Sequence, residues 1–172
     1  MHIVVSGGIA NNQVFGVVRE LKGEGVPLQQ LTDYALEYTL PSKYGSVSPN
    51  WLAPARFDSD SREFHSFASY LLTLIPIIAA FLEDMVLPHG IMQEHIQCFL
   101  HLQTIVLLLS SGAEYALKHI NLLAETIVEH HKLFVRLYPG CIKTKFHQIL
   151  HLPELYLHLK KVISCFDATM CF

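Results

Sequence analysis

At 172 residues, with 51% hydrophobic and 16% charged residues, the chain is sized for one domain with a sizeable core. A formal net charge of −3 and a pI near 6.4 exclude a protein that attracts nucleic acid through its overall charge. Mean hydropathy of +0.33 is high for a soluble protein and predicts either a membrane segment or a core whose covering lies in another domain or subunit.

Met1 to Ser6 is a short apolar, β-branched run ending at Gly7-Gly8, which reads as a strand turning into a helix. The glycine pair sits in neither GxGxxG nor GxxxxGK[ST], so a tight turn accounts for it better than a phosphate loop. From Ile9 the apolar positions Val14, Val17, Val18 and Leu21 keep helical spacing until Gly23 and Gly25. Pro27 heads a second short helix carrying Leu28, Leu31, Ala35 and Leu36, so residues 9–40 form a helical hairpin. The stretch 41–61 has three prolines and five serines and is expected as surface loop, with Trp51 pinning it to the core.

Phe64 to Leu82 contains no Lys, Arg, Asp or Glu and is about long enough to cross a bilayer. His65, Ser66, Ser69, Thr73 and Pro76 interrupt it, and Glu83-Asp84 abuts one end without a basic anchor, so the expectation is a buried core helix kinked at Pro76. Pro88-His89-Gly90 is a turn, and a helix from about Ile91 to Leu109 turns Ile96, Phe99, Leu100, Ile105 and Leu108 inward. After the hinge Ser110-Ser111-Gly112, residues 113–138 read as one long amphipathic helix with Glu114, Glu125 and Glu129 ahead of Lys132 and Arg136, ended by Pro139-Gly140. Lys145 to Leu152 gives a helical turn or two, Pro153 opens a short helix to Lys161, and residues 162–172 hold a strand, Val162–Phe166, and a tail. The fold class expected is mainly α, with a helical core over 62–161 and a short strand at each end.

Cys98, Cys141, Cys165 and Cys171 form no CxxC pair and no signal peptide precedes them, so free buried thiols in a reducing compartment, nuclear or cytoplasmic, are expected. His147 and His151 have the spacing of a two-histidine zinc pair, but no Glu follows His147 to make HExxH and no third ligand is apparent. They read as histidines bonded to core carbonyls and neighbouring turns, and no metal or other cofactor is assigned. His130 and His131 are adjacent and point about 100° apart on a helix, too far apart to chelate as a pair.

The stretch KTKFHQILHLPELYLHLKKVISCF, Lys143 to Phe166, resembles the basic segment closing a helical insertion in the CACTA-like and related DDE cut-and-paste transposases. Met1-His2-Ile3 with Gly7-Gly8-Ile9 resembles the opposite edge of that insertion, while Phe64–Leu74 with Ile75-Pro76 and His95–Leu109 resemble helices inside it. The resemblance implies the insertion of a ribonuclease-H-like fold, whose neighbouring strands are not encoded here. It also implies three metal-binding carboxylates, and none matches: Met1 begins after the second position, and Thr169 stands where the third is expected, with Asp167 two residues early. The expectation is therefore a transposase-derived polypeptide without enzymatic activity of its own.

Between Lys132 and Lys161 there are six Lys and Arg against Glu154 alone, +5 in a chain of −3, which leaves −8 elsewhere. Lys143, Lys145, His147, His151, Lys160 and Lys161 are the candidate nucleic-acid contacts, for weak, non-specific binding to the phosphate backbone; a solvated basic rim is the alternative. Two other functions stay open, a helical module that associates with itself or a protein partner through exposed apolar surface, and a membrane protein anchored by residues 64–82.

Overall fold

The computed structural model describes residues 4, 8–40, 46–142 and 144–159, and over these the chain is mainly helical. In chain order α1 (Ile9–Gly23) and α2 (Leu28–Glu37) are followed by a hairpin, β1 (Phe57–Asp58) and β2 (Glu63–Phe64). The remainder is α3 (Ala68–Phe81), α4 (Gln93–Ser110), α5 (Ala113–Lys118), α6 (Ile120–Leu137), α7 (Thr144–Leu150) and α8 (Leu152–Leu159). Of the strand expected at 1–6 only Val4 is described, and it lies in a buried turn whose carbonyl accepts from the Ala10 N–H at 2.9 Å; the strand expected at 162–166 lies outside the described residues.

The end of α1 is set by backbone chemistry. Gly25 adopts φ +81°, its N–H donates to the Lys22 carbonyl, and the Val26 N–H donates to the Leu21 carbonyl at 2.8 Å. This is a Schellman closure, and it needs the left-handed residue that glycine supplies without steric cost. Pro27 at φ −72° and ψ 147° then starts α2, as the sequence predicts.

Three expectations need correction. The described part of the 41–61 segment, 46–61, is more than a loop: Pro49–Leu52 and Pro54–Arg56 are 3-10 turns, and Phe57 enters the hairpin. Prolines 49 and 54 mark starts of tight turns here rather than absence of structure. Trp51 does pin it, stacking on Tyr70 of α3 with ring centroids 4.2 Å apart.

The apolar helix begins at Ala68, since Phe64 pairs with Phe57 in the antiparallel hairpin, their rings 4.7 Å apart. The third correction concerns 113–138, which is two helices meeting at His119, where φ −110° and ψ 28° leave the helical region. No Gly or Pro marks that break in the sequence; in the structure the Tyr115 and His119 rings meet there at 4.5 Å.

Pro76 lies inside α3 as expected, and Leu71, Leu74, Ile75, Ile77, Ile78, Ala79 and Phe81 are all buried. The helix runs on through a π turn, Leu82–Val86, and a 3-10 turn, Leu87–His89, to Gly90 at φ +73°. Ala68–His89 is long and apolar enough to cross a membrane, with mean hydropathy 1.9, yet half of that apolar window is buried within the fold. Packing against α2 and α4 accounts for its composition.

The core is continuous across α1, α3, α4 and α6, with α4 lying along α6 over the longest helix contact. Phe134 of α6 stacks near Phe146 of α7, ring centroids 4.2 Å apart, which fastens the C-terminal helices to the bundle. At Gly16 α1 approaches α6's end so closely that a Cβ would meet the Tyr138 ring at 2.7 Å.

Candidate functional site

Helix α1 carries Asn11, Asn12 and Gln13 in succession, side chains about 100° apart around the axis. All three are at most 4% exposed, so this half of α1 is surrounded on every side. The periodicity of Val14, Val17, Val18 and Leu21 predicts one buried face, and its account of α1 is too narrow: Ile9 through Val17 are all buried.

Each amide meets a different element. The Asn11 Nδ2 donates to the Phe64 carbonyl and the Asn12 Nδ2 to the Arg62 carbonyl at 3.0 Å, so two side chains hold the hairpin's second arm. Their Oδ1 atoms have no hydrogen-bond partner. The hairpin turn is held from within by Asp58, whose carboxylate accepts from the Asp60 N–H at 2.9 Å and the Ser61 hydroxyl at 2.7 Å. Those bonds, the Ser61 hydroxyl first, lower the Asp58 pKa to about 2.

Gln13 enters the interface between α4 and α6. Its Oε1 accepts from the His130 Nε2 at 2.6 Å, and its Nε2 donates to the Cys98 Sγ at 3.3 Å. The Cys98 thiol faces the His130 carbonyl at 3.9 Å, which closes a ring through three helices. The accepting Gln13 oxygen fixes His130 as the neutral tautomer protonated on Nε2. Burial is the main reason the His130 pKa falls to about 3, with the nearby His101 and His131 adding to it, and burial also pushes the Cys98 thiol up to about 12. This thiol is therefore structural rather than reactive.

Beside the ring, the Tyr138 hydroxyl meets the His95 Nδ1 at 2.7 Å. Burial raises the phenol's pKa and lowers that of His95, so the hydroxyl donates to a neutral imidazole. His101 is also lowered by burial.

An open cleft of roughly 360 Å³ lies where the hairpin meets α1, lined by Asn11, Arg56, Glu63, His65, Ser66 and Phe67. Its cation is already engaged, since Arg56 donates to the Asn50 and His65 carbonyls. His65 faces Asp58 at 3.4 Å, but the neighbouring Ser66 hydroxyl donates to the Phe67 carbonyl, so no Ser–His–Asp relay is assembled.

Of the candidate nucleic-acid contacts, Lys143, Lys160 and Lys161 lie outside the described residues. Lys145 is half-buried on α7 and has an interaction partner, while His147 and His151 are exposed. The expectation that this histidine pair bonds core carbonyls is corrected: their Nε2 atoms face each other at 3.2 Å in solvent. Cys98 and Cys141 are buried thiols outside any disulfide, as expected; Cys165 and Cys171 lie outside the described residues. Among the described residues no three His, Cys, Asp or Glu side chains gather as a metal site. No protein-family model, curated protein or solved structure matches the chain.

The histidine titration sets a pH dependence. His130 binds its proton far more weakly in the folded chain than at its ordinary value of 6.5, so unfolding takes up protons between pH 6.5 and about 3 and stability falls as pH drops through that window. Each pH unit removes about 1.4 kcal/mol, with His95 and His101 acting in the same direction. Of the charged neighbours on α6, Glu129 is engaged by Lys132 at 2.7 Å. Urea midpoints measured from pH 7 to 4.5 should fall by an amount equal to about 2–3 kcal/mol, and His130→Phe should flatten the profile; a profile already flat from 6.5 to 4.5 in the wild type contradicts this assignment.

Proposed function

We propose that the chain acts by binding rather than by catalysis, as a helical interaction module with its contact face on α5, α6 and α8. The observation that carries this reading is apolar exposure on helices that pack on one another: Tyr115 on α5, Leu122 on α6 and Leu155 on α8 are 46–48% exposed. Single exposed apolar residues are ordinary, whereas several on adjoining helices mark an association surface. The readiest occupant is a second copy of the chain, since like apolar faces pair symmetrically.

Sedimentation velocity over a concentration series tests this. The wild type should associate, and Leu122→Glu with Leu155→Glu should leave a monomer of unchanged helicity, both positions being solvent-facing. A wild type that is monomeric throughout, or a variant that associates equally, defeats the reading.

The transposase-derived origin and a DNA-facing surface form the second reading, supported by the segregation of +5 charge into residues 132–161. It predicts weak DNA retention that falls steeply with salt. Lys143→Ala with Lys145→Ala should reduce the salt slope by about two, one per phosphate contact, and an unaltered slope removes this reading.

A further inference from the structure

We infer that His147 and His151 chelate a single divalent transition-metal ion, of the zinc, nickel or copper class, at the corner between α7 and α8. His147 lies in the last turn of α7, and His151 occupies the position between α7 and α8, just ahead of Pro153. The two Nε2 atoms stand 3.2 Å apart, with the rings inclined at 78°. Two imidazole nitrogens at that separation, each at the roughly 2.1 Å of a metal–nitrogen bond, subtend about 100° at a shared ion, between octahedral and tetrahedral angles. Without an ion, the contact is an N–H···N hydrogen bond in which one imidazole carries its proton on Nε2. With an ion, that proton moves to Nδ1 through solvent, and both Nε2 lone pairs face the metal. No net proton is released by this tautomer change.

A second feature supports the site. On the far side of the His151 ring, the Glu154 carboxylate stands 3.8 Å from Nδ1. That distance is an ion-pair contact and not a hydrogen bond; a small rotation of the exposed carboxylate would bring it onto Nδ1, where it would hold the Nδ1–H tautomer and strengthen the Nε2 lone pair, the usual arrangement behind metal-bound histidine. His151 and Glu154 are more than half exposed, so water completes the coordination and the ion has a free path. Imidazole donors suit zinc, nickel and copper and discriminate against magnesium and calcium, which take oxygen ligands.

Placed there, the ion would clip α7 to the start of α8 and stiffen the corner leading to exposed Leu155 and Leu157. The inference is independent of whether those leucines mediate association, because it concerns metal uptake alone.

Titration calorimetry of the full chain with nickel or zinc, in excess magnesium, tests it. The expected result is one equivalent bound by the wild type, weakened at least tenfold in His147→Ala and in His151→Ala. His89→Ala, another exposed histidine outside the corner, should bind as the wild type does. Bound metal should also raise the melting temperature of the wild type and leave that of the two corner variants unchanged. Equal affinity in wild type and corner variants, or no stoichiometric uptake by the wild type, overturns the proposal. Both substituted histidines face solvent, so loss of binding in these variants reports on the ligands rather than on folding.

Discussion

The burial of three consecutive amide side chains on α1 is the constraint around which this fold is arranged. Amides removed from water are costly unless hydrogen-bonded, and consecutive residues on a helix cannot share one partner surface. Asn11 and Asn12 therefore require carbonyls from a segment alongside, and the arm 62–64 of the hairpin supplies them. Gln13 requires a donor and an acceptor in the core, and α6 and α4 supply them as His130 and Cys98. The two-residue strands of the hairpin are too short to persist alone. Asn11 and Asn12 fasten them on one side, and the Arg62 guanidinium lies against Gly140 on the other, where a β-carbon would clash.

This arrangement explains which parts of the structure were legible in the sequence. Helices α2 and α4 announced themselves through apolar period and through Gly or Pro at their ends, signals that depend on local geometry alone. The Schellman closure at Gly25 is local in the same way. The hairpin was hidden because Pro49, Pro54 and the serines resemble loop composition, and its stability comes from Asn11 and Asn12, about 50 residues away. The ring through Gln13, Cys98 and His130 was hidden for the same reason: Gln13 and His130 are 117 positions apart. A glutamine on a predicted amphipathic helix reads as solvent-facing until its surroundings are known. Eleven histidines imply a sizeable charge change below about pH 6.5, but composition cannot separate a buried one such as His130 from an exposed one such as His151.

The same distinction divides the molecule into an interior and a solvent-facing surface. Inside, the groups of the ring and its neighbour are neutral and paired: the Cys98 thiol is held protonated, His130 stays uncharged, and Tyr138 donates to His95. Such a network favours one packing of α1 against α4 and α6, because a shifted helix would strand polar atoms. Outside, the C-terminal helices combine exposed leucines with a facing histidine pair, attached to the bundle through Phe134 and Phe146. Of the chain's ends that resemble a transposase insertion, residues 1–3, 7, 143 and 160–166 fall outside the described segments, while 144–159 form the corner of α7 and α8. The described helices, by contrast, share a core with one another.

A double-mutant cycle on Gln13 and His130 measures the central claim most directly. Gln13→Met and His130→Phe remove the polar partners singly and together while keeping the volume, and urea unfolding at pH 7.5 gives the four stabilities. If the helix network depends on this bond, each single variant loses stability by leaving the other group unpaired, and the double variant recovers part of the loss, for a coupling of about 1–3 kcal/mol. Losses that add to within about 0.5 kcal/mol would mean that the two groups act independently and that the buried amides do not hold the helices together.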